Sequence, residues 1–153
     1  MKFSPGQAVA RSEDHRLLTG GGRYSDDVRL PGQSYAAIVR ADHAHARIAA
    51  VETGAALEMP GVLAVLMGQD WAADGLGGMV FKGHLLSEPL QSPGGVVFTN
   101  PPRIPLAMER VRYIGEPIAV VVADSPARAV DAAEAVLVDY DALPAVADVL
   151  AAI

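Results

Sequence analysis

The stretch IAVVVADSPARAVDAAEAVLVDY, residues 118–140, decides the fold class. Ile118 to Ala123 is an unbroken apolar run, too short for an ordinary helix and rich in β-branched valine, so it reads as a fully apolar strand. Ser125 then offers a capping hydroxyl and Pro126 a first-turn proline, which predicts a helix running to about Val136. Spacing supports that helix. Ala129, Ala132, Ala133 and Val136 fall on one face at i, i+3, i+4 and i+7, and Arg128, Asp131 and Glu134 fall on the other. The inner residues are small, so the helix can lie close to a sheet. LVDY, residues 137–140, is the return strand.

A similar unit stands earlier in the chain. SYAAIVR at 34–40 and ARIAAVE at 46–52 suit strands, and Thr53 is placed to cap a short helix that runs through Met59. Pro60-Gly61 breaks that helix, and the apolar run VLAVLM at 62–67 is a further strand. The expected fold class is therefore α/β, a mixed sheet with short packed helices. Residues 1–32 hold Gly20, Gly21, Gly22, Asp26-Asp27 and Pro31-Gly32 with little apolar periodicity, so they read as an extended N-terminal arm, and the domain proper spans 33–153. Between the two units, residues 72–107 carry six glycines and five prolines, which marks a long excursion that a neighbouring chain or domain is expected to support.

Composition narrows the function. A chain of 153 residues fits one domain, which buries roughly 68–70% of the surface its unfolded chain exposes. With 51% apolar and 20% charged residues but only 5% aromatic, the core must be aliphatic. The net charge of −6 repels phosphate backbones, which argues against nucleic acid as a partner. The chain has no cysteine, so no disulfide, thiolate zinc site or iron–sulfur cluster can be built from it. The N-terminus has no signal-like apolar region, and no run approaches the ~20 apolar residues of a membrane span, so a soluble cytoplasmic protein is expected.

Three groups of residues invite a chemical reading. The glycines of LLTGGGRYSDD suggest a phosphate loop, but no Lys-Ser/Thr follows and the G-x-G-x-x-G spacing is absent, so a turn is preferred. Asp42, His43 and His45 resemble the start of a metal site whose other ligands are missing, since His15 and His84 stand far off in irregular segments. Glu116, just before the apolar strand, is the most tempting general base, yet it has no nucleophile or paired carboxylate beside it. Holding the turn Gly115-Glu116-Pro117, or pairing with an arginine, suits it better. In the arm, Arg11, Asp14, Arg16, Arg23, Tyr24, Asp26 and Asp27 mix both signs as an interface would, and Leu17 and Leu18 favour docking.

With these residues in view, Val9 to Ile48, VARSEDHRLLTGGGRYSDDVRLPGQSYAAIVRADHAHARI, resembles the opening of the molybdopterin-binding large subunit of the xanthine dehydrogenase, aldehyde oxidase and carbon monoxide dehydrogenase family. MPGVLAVLMGQDW, RVRYIGEPIAVVVADSPARAVDAAEAV and VDYDALPAV match in the same order, so the resemblance covers about Val9 to Val146. It implies the α/β hammerhead domain, which precedes the molybdenum-binding domain in that family. Members oxidise or hydroxylate aldehydes, N-heterocycles or carbon monoxide, and pass electrons through iron–sulfur clusters to FAD. The pterin-binding motifs and catalytic glutamate belong to the later domain. No catalytic, cofactor-binding or metal-binding residue is carried over to this chain, which alone is expected to be inactive.

The resemblance therefore implies a non-catalytic structural domain of a molybdenum hydroxylase. Its implied partners are the molybdopterin-binding domain or subunit and the iron–sulfur and flavin subunits. Two other readings compete: a stand-alone interaction or assembly module that keeps the fold, and a small hydrolase built around Glu116. Removal of a domain from a large partner also predicts exposed apolar surface.

Overall fold

A computed structural model describes residues 11–79 and 103–152. The chain divides into two compact units, Met1–Gln33 and Ser34–Ile153.

The larger unit owes its layout to the apolar runs. Among the described residues six strands form: β1 (Tyr35–Arg40), β2 (Ala46–Glu52), β3 (Val62–Met67), β4 (Arg110–Val111), β5 (Pro117–Ala123) and β6 (Leu137–Ala142). They make two three-stranded sheets, in the orders β1-β5-β3 and β4-β2-β6, and every pairing is antiparallel. Each of the two strand-helix-strand segments thus starts in one sheet and ends in the other. The expected α/β architecture with short helices is present, divided between two sheets. The central strand of the first sheet, β5, is the apolar run singled out in the sequence. Its Val120 stands opposite Ile38 on one side and Leu66 on the other.

The helices follow local rules. After α1 (Asp14–Leu18) in the arm come α2 (Gly54–Leu57), α3 (Gly68–Ala73) and α4 (Pro126–Glu134). Helix α4 begins as its sequence predicts, with Pro126 in the first turn and Ser125 Oγ accepting the Arg128 N–H at 3.4 Å. Ala129 and Ala132 on its inner face are buried against β1 and β5. Thr53 departs from its expected role. Its backbone is already helical, at φ −108° and ψ −6°, and its hydroxyl makes no capping bond to α2. The chain turns from α2 into β3 at Gly61, where φ is +83° and an added Cβ would meet Arg128 and Asp124 atoms at 2.6–2.7 Å.

Helix α3 is not evident in the sequence. It starts where Asp70 accepts the Met67 N–H at 2.7 Å, satisfying one donor at the helix entry. Gly68 lets it sit down: a Cβ there would lie 2.7 Å from the Leu106 carbonyl oxygen and 2.5 Å from Met108 Cγ. Beyond it, Met79 donates to the Arg103 carbonyl at 2.7 Å, so the flanks of the long excursion are paired. Residues 80–102 of the 72–107 excursion, with His84, lie outside the described residues.

Two aliphatic clusters fill the interior. One joins Ala41, Ala46, Ala107, Val111 and Ile118; the other joins Ala56, Val121, Ala132 and Val136. Val51 and Val138 touch both clusters. The largest fully buried side chains are Ile118, Val111 and Val121, and no described polar or charged side chain is buried. The core is aliphatic, as the low aromatic content requires.

Within the smaller unit, α1 ends in a glycine cap. Gly21 N–H reaches the Arg16 carbonyl at 2.8 Å and Gly20 N–H the Leu17 carbonyl at 3.2 Å, with Gly20 at φ +74°. This is the Schellman arrangement, and it gives the glycine run a local purpose: a helix stop. A 3-10 turn follows at Ser25–Asp27, with the Tyr24 N–H held by Asp27 Oδ2 at 2.8 Å. No described residue of the arm is buried.

Candidate functional site

Glu116 is the candidate general base, and its surroundings define it. Its carboxylate accepts the Arg112 backbone N–H and lies 3.6 Å from the Arg112 guanidinium, with the side chain 13% exposed. Its carbonyl accepts the Ala41 N–H at 2.9 Å. Gly115, at φ +87°, donates to the Ala41 carbonyl at 2.7 Å, and Arg40 donates to the Gly115 carbonyl at 2.9 Å. The side chain and its neighbours thus tie the turn 112–116 to the end of β1. Both structural tasks suggested by the sequence, holding the turn and pairing with an arginine, are performed here by one carboxylate. Tyr113 and Ile114 at the tip of the turn stay exposed.

The histidines separate. His43 Nδ1 meets Asp42 Oδ1 at 2.6 Å and its ring stacks on Tyr140, centroids 4.5 Å apart. His45 Nδ1 instead bonds the Pro144 carbonyl at 2.7 Å. The hydrogen bond from His43 holds the Asp42 carboxyl below its ordinary range, and partial burial raises the Tyr140 hydroxyl above its own. Among the described residues, no three His, Asp or Glu side chains gather as a metal ion requires.

The arm residues form local pairs. Arg11 bridges Asp14 at 3.0 Å and Arg16 bridges Glu13 at 2.6 Å, both exposed. Asp27 closes the 3-10 turn beside Tyr24, while Arg23 and Asp26 are exposed. Leu18, Tyr24, Val28 and Leu30 are exposed too, so the arm presents apolar as well as charged side chains.

Among the described residues of the larger unit, apolar grooves include the following two. One, of about 390 Å³, lies along the first sheet, where Ile38, Val120 and Leu66 form a cross-strand row beside Trp71, Leu76 and Leu106. Asp70 and Asp74 also line it. The other, of about 520 Å³, lies between His45, the 112–114 turn and Pro144–Ala147. Neither groove was located from the sequence, because each gathers residues from distant segments. The signal available was the unbroken apolar character of β3 and β5.

Comparison with known proteins places these features in a family. The model of the a/b hammerhead domain of aldehyde oxidase and xanthine dehydrogenase matches residues 19–144. The chain belongs to that family. The nicotine 6-hydroxylase large subunit of Paenarthrobacter nicotinovorans is 39% identical over 94% of this chain. The carbon monoxide dehydrogenase large chain of Hydrogenophaga pseudoflava is 38% identical over 89%. The crystal structure of quinoline 2-oxidoreductase from Pseudomonas putida 86 superposes with a TM-score of 0.75 at 39% identity over 96% of this chain. This hammerhead domain spans only 16%, 15% and 17% of those three chains. The fold is the hammerhead fold that the resemblance implied. No described helix is long and apolar enough to cross a membrane.

Proposed function

We propose that this hammerhead domain is a non-catalytic structural part of a molybdenum hydroxylase and packs on the molybdopterin-binding part of the large subunit. The family match over residues 19–144 carries the reading, joined to relatives named as large subunits or large chains of oxidoreductases. The substrates of the assembly fall in the range those names cover, N-heterocycles, aldehydes or carbon monoxide. Its molybdopterin, iron–sulfur clusters and FAD, and the subunits that hold them, lie outside this segment.

The chain has no cysteine for an iron–sulfur cluster, and the described residues offer neither a buried polar cradle for a pterin nor a convergent ligand set for a metal. What the domain supplies is shape: a turn fastened by Glu116 and two apolar grooves that a larger partner can cover. A stand-alone module of the same fold is the less favoured reading, since each of these matches is to a segment of a long oxidoreductase chain.

Co-purification tests the proposal. The domain is expected to come down with a chain that contains molybdenum, and that assembly to oxidise an aldehyde or N-heterocycle with an electron acceptor. The purified segment alone is expected to give no turnover. Metal-free turnover by the segment contradicts the proposal.

A further inference from the structure

We infer that the open face of the β1-β5-β3 sheet is the docking face of this domain, and that it is covered by the remainder of the large subunit through an apolar ridge flanked by basic side chains. This rests on the function proposed above and adds the face and the chemistry of its occupant.

The two sheets differ in a way that decides the matter. In the β4-β2-β6 sheet, β2 and β6 alternate: Arg47 and Asp141 stand opposite one another and are exposed, as are Glu52 and Asp139, while Ile48, Val51, Val138 and Tyr140 turn to the core. Such strands are made for water on one side. In the β1-β5-β3 sheet the alternation is missing. Val39, Val121 and Val65 face the cluster that holds Ala132 of α4. Their neighbours Ile38, Val120 and Leu66, one residue along each strand, are just as apolar and form a row across the sheet. A second row, Ala36, Val122 and Ala64, runs parallel to it. A sheet apolar on both faces is a sheet covered on both faces. Here α4 and α2 cover one, and Ile38 and Leu66 on the other are 44% and 45% exposed.

Length and charge choose the occupant. This segment amounts to 16–17% of the large chains it matches in carbon monoxide dehydrogenase and quinoline 2-oxidoreductase, so most of such a polypeptide lies beyond it. A second copy of this domain fits poorly. The chain carries a net charge of −6, and Asp70 and Asp74 line the groove, so face-to-face copies would set carboxylates against carboxylates. The same two carboxylates, one turn apart on α3 and its cap, suit lysine or arginine side chains along that edge of an apolar ridge that fills the space between β1, β3 and α3.

The absence of cysteine gives a clean test in the intact molybdenum assembly. Single substitutions Ile38→Cys, Leu66→Cys and, as a control on the other sheet, Leu137→Cys are exposed to a maleimide, and labelling is read on each residue's own peptide by mass spectrometry. Positions 38 and 66 are expected to react roughly tenfold or more slowly than 137 in the native assembly, and all three equally after unfolding in urea. A photo-crosslinking residue in place of Leu76, at the groove edge, is expected to capture the remainder of the large subunit. If a cysteine variant fails to assemble, hydroxyl-radical footprinting of Trp71 and Met67 in the unaltered assembly provides the same comparison.

Rapid labelling at 38 and 66 in an active molybdenum assembly overturns the inference and leaves the proposed function standing. Capture of a second copy, or of an iron–sulfur or flavin subunit, also overturns it. A folded domain that purifies without a molybdenum chain and reacts at all three positions overturns both.

Discussion

At the scale of single residues, the carboxylates of this domain act on structure. Glu116 accepts a backbone donor of the 112–116 turn and pairs with Arg112, so Glu116→Gln keeps an acceptor while Glu116→Ala strands the donor. The glutamine variant is expected to leave turnover of the assembly intact, whereas the alanine variant loses about 1–3 kcal/mol in denaturant melts. A fall in turnover with Glu116→Gln, at unchanged stability, would restore the general-base reading. Asp42 makes a pH prediction of definite sign. Its folded-state pKa is lowered by the His43 hydrogen bond, so its contribution to stability is present above the ordinary carboxylate range and is lost as pH falls through the lowered value. His43→Ala is expected to return the Asp42 titration, followed by carboxyl NMR, to its ordinary range. Tyr140 is displaced the other way by burial, so stability declines as pH rises past the ordinary tyrosine range.

At the scale of elements, α4 depends on small side chains. Ala132 is fully buried between the helix and the sheet, and Ala132→Leu is expected to cost about 1–3 kcal/mol by overpacking, measured by thermal or urea unfolding. An unchanged midpoint would mean that the helix stands farther from the sheet than described. This helix, together with β1, β2, β3, β5 and β6, was legible because each is a run of defined pattern closed by a turn residue. Helix α3 was not, because its start depends on Asp70 reaching back to Met67 and its seat on the absence of a Cβ at Gly68. Strand β4 is two residues long and carries no periodicity. The stop at Gly20 could have been found, since RLLTG places a glycine just past a short helical turn. The groove was beyond local reading, as its row is set by strand register across residues 38, 66 and 120.

At the scale of the whole molecule, the hammerhead domain leaves Ile38, Leu66 and Leu76 in water together with Tyr113 and Ile114 of the 112–116 turn. Isolated domain is therefore expected to bind an apolar dye and to lose that fluorescence on joining its assembly. A dye signal equal in both states would mean that the exposed groups serve no contact within it. The order of strands has another outcome, in time rather than space. Tyr35 pairs with Ala123 and Ala46 with Ala142, so both sheets join an early strand to a late one. A ribosome releasing this chain exposes β1, β2 and β3 before their central or closing partners exist. Folding must wait for residues near 142, through contacts distant in sequence, which makes it slow and leaves unpaired strand edges for chaperones to guard.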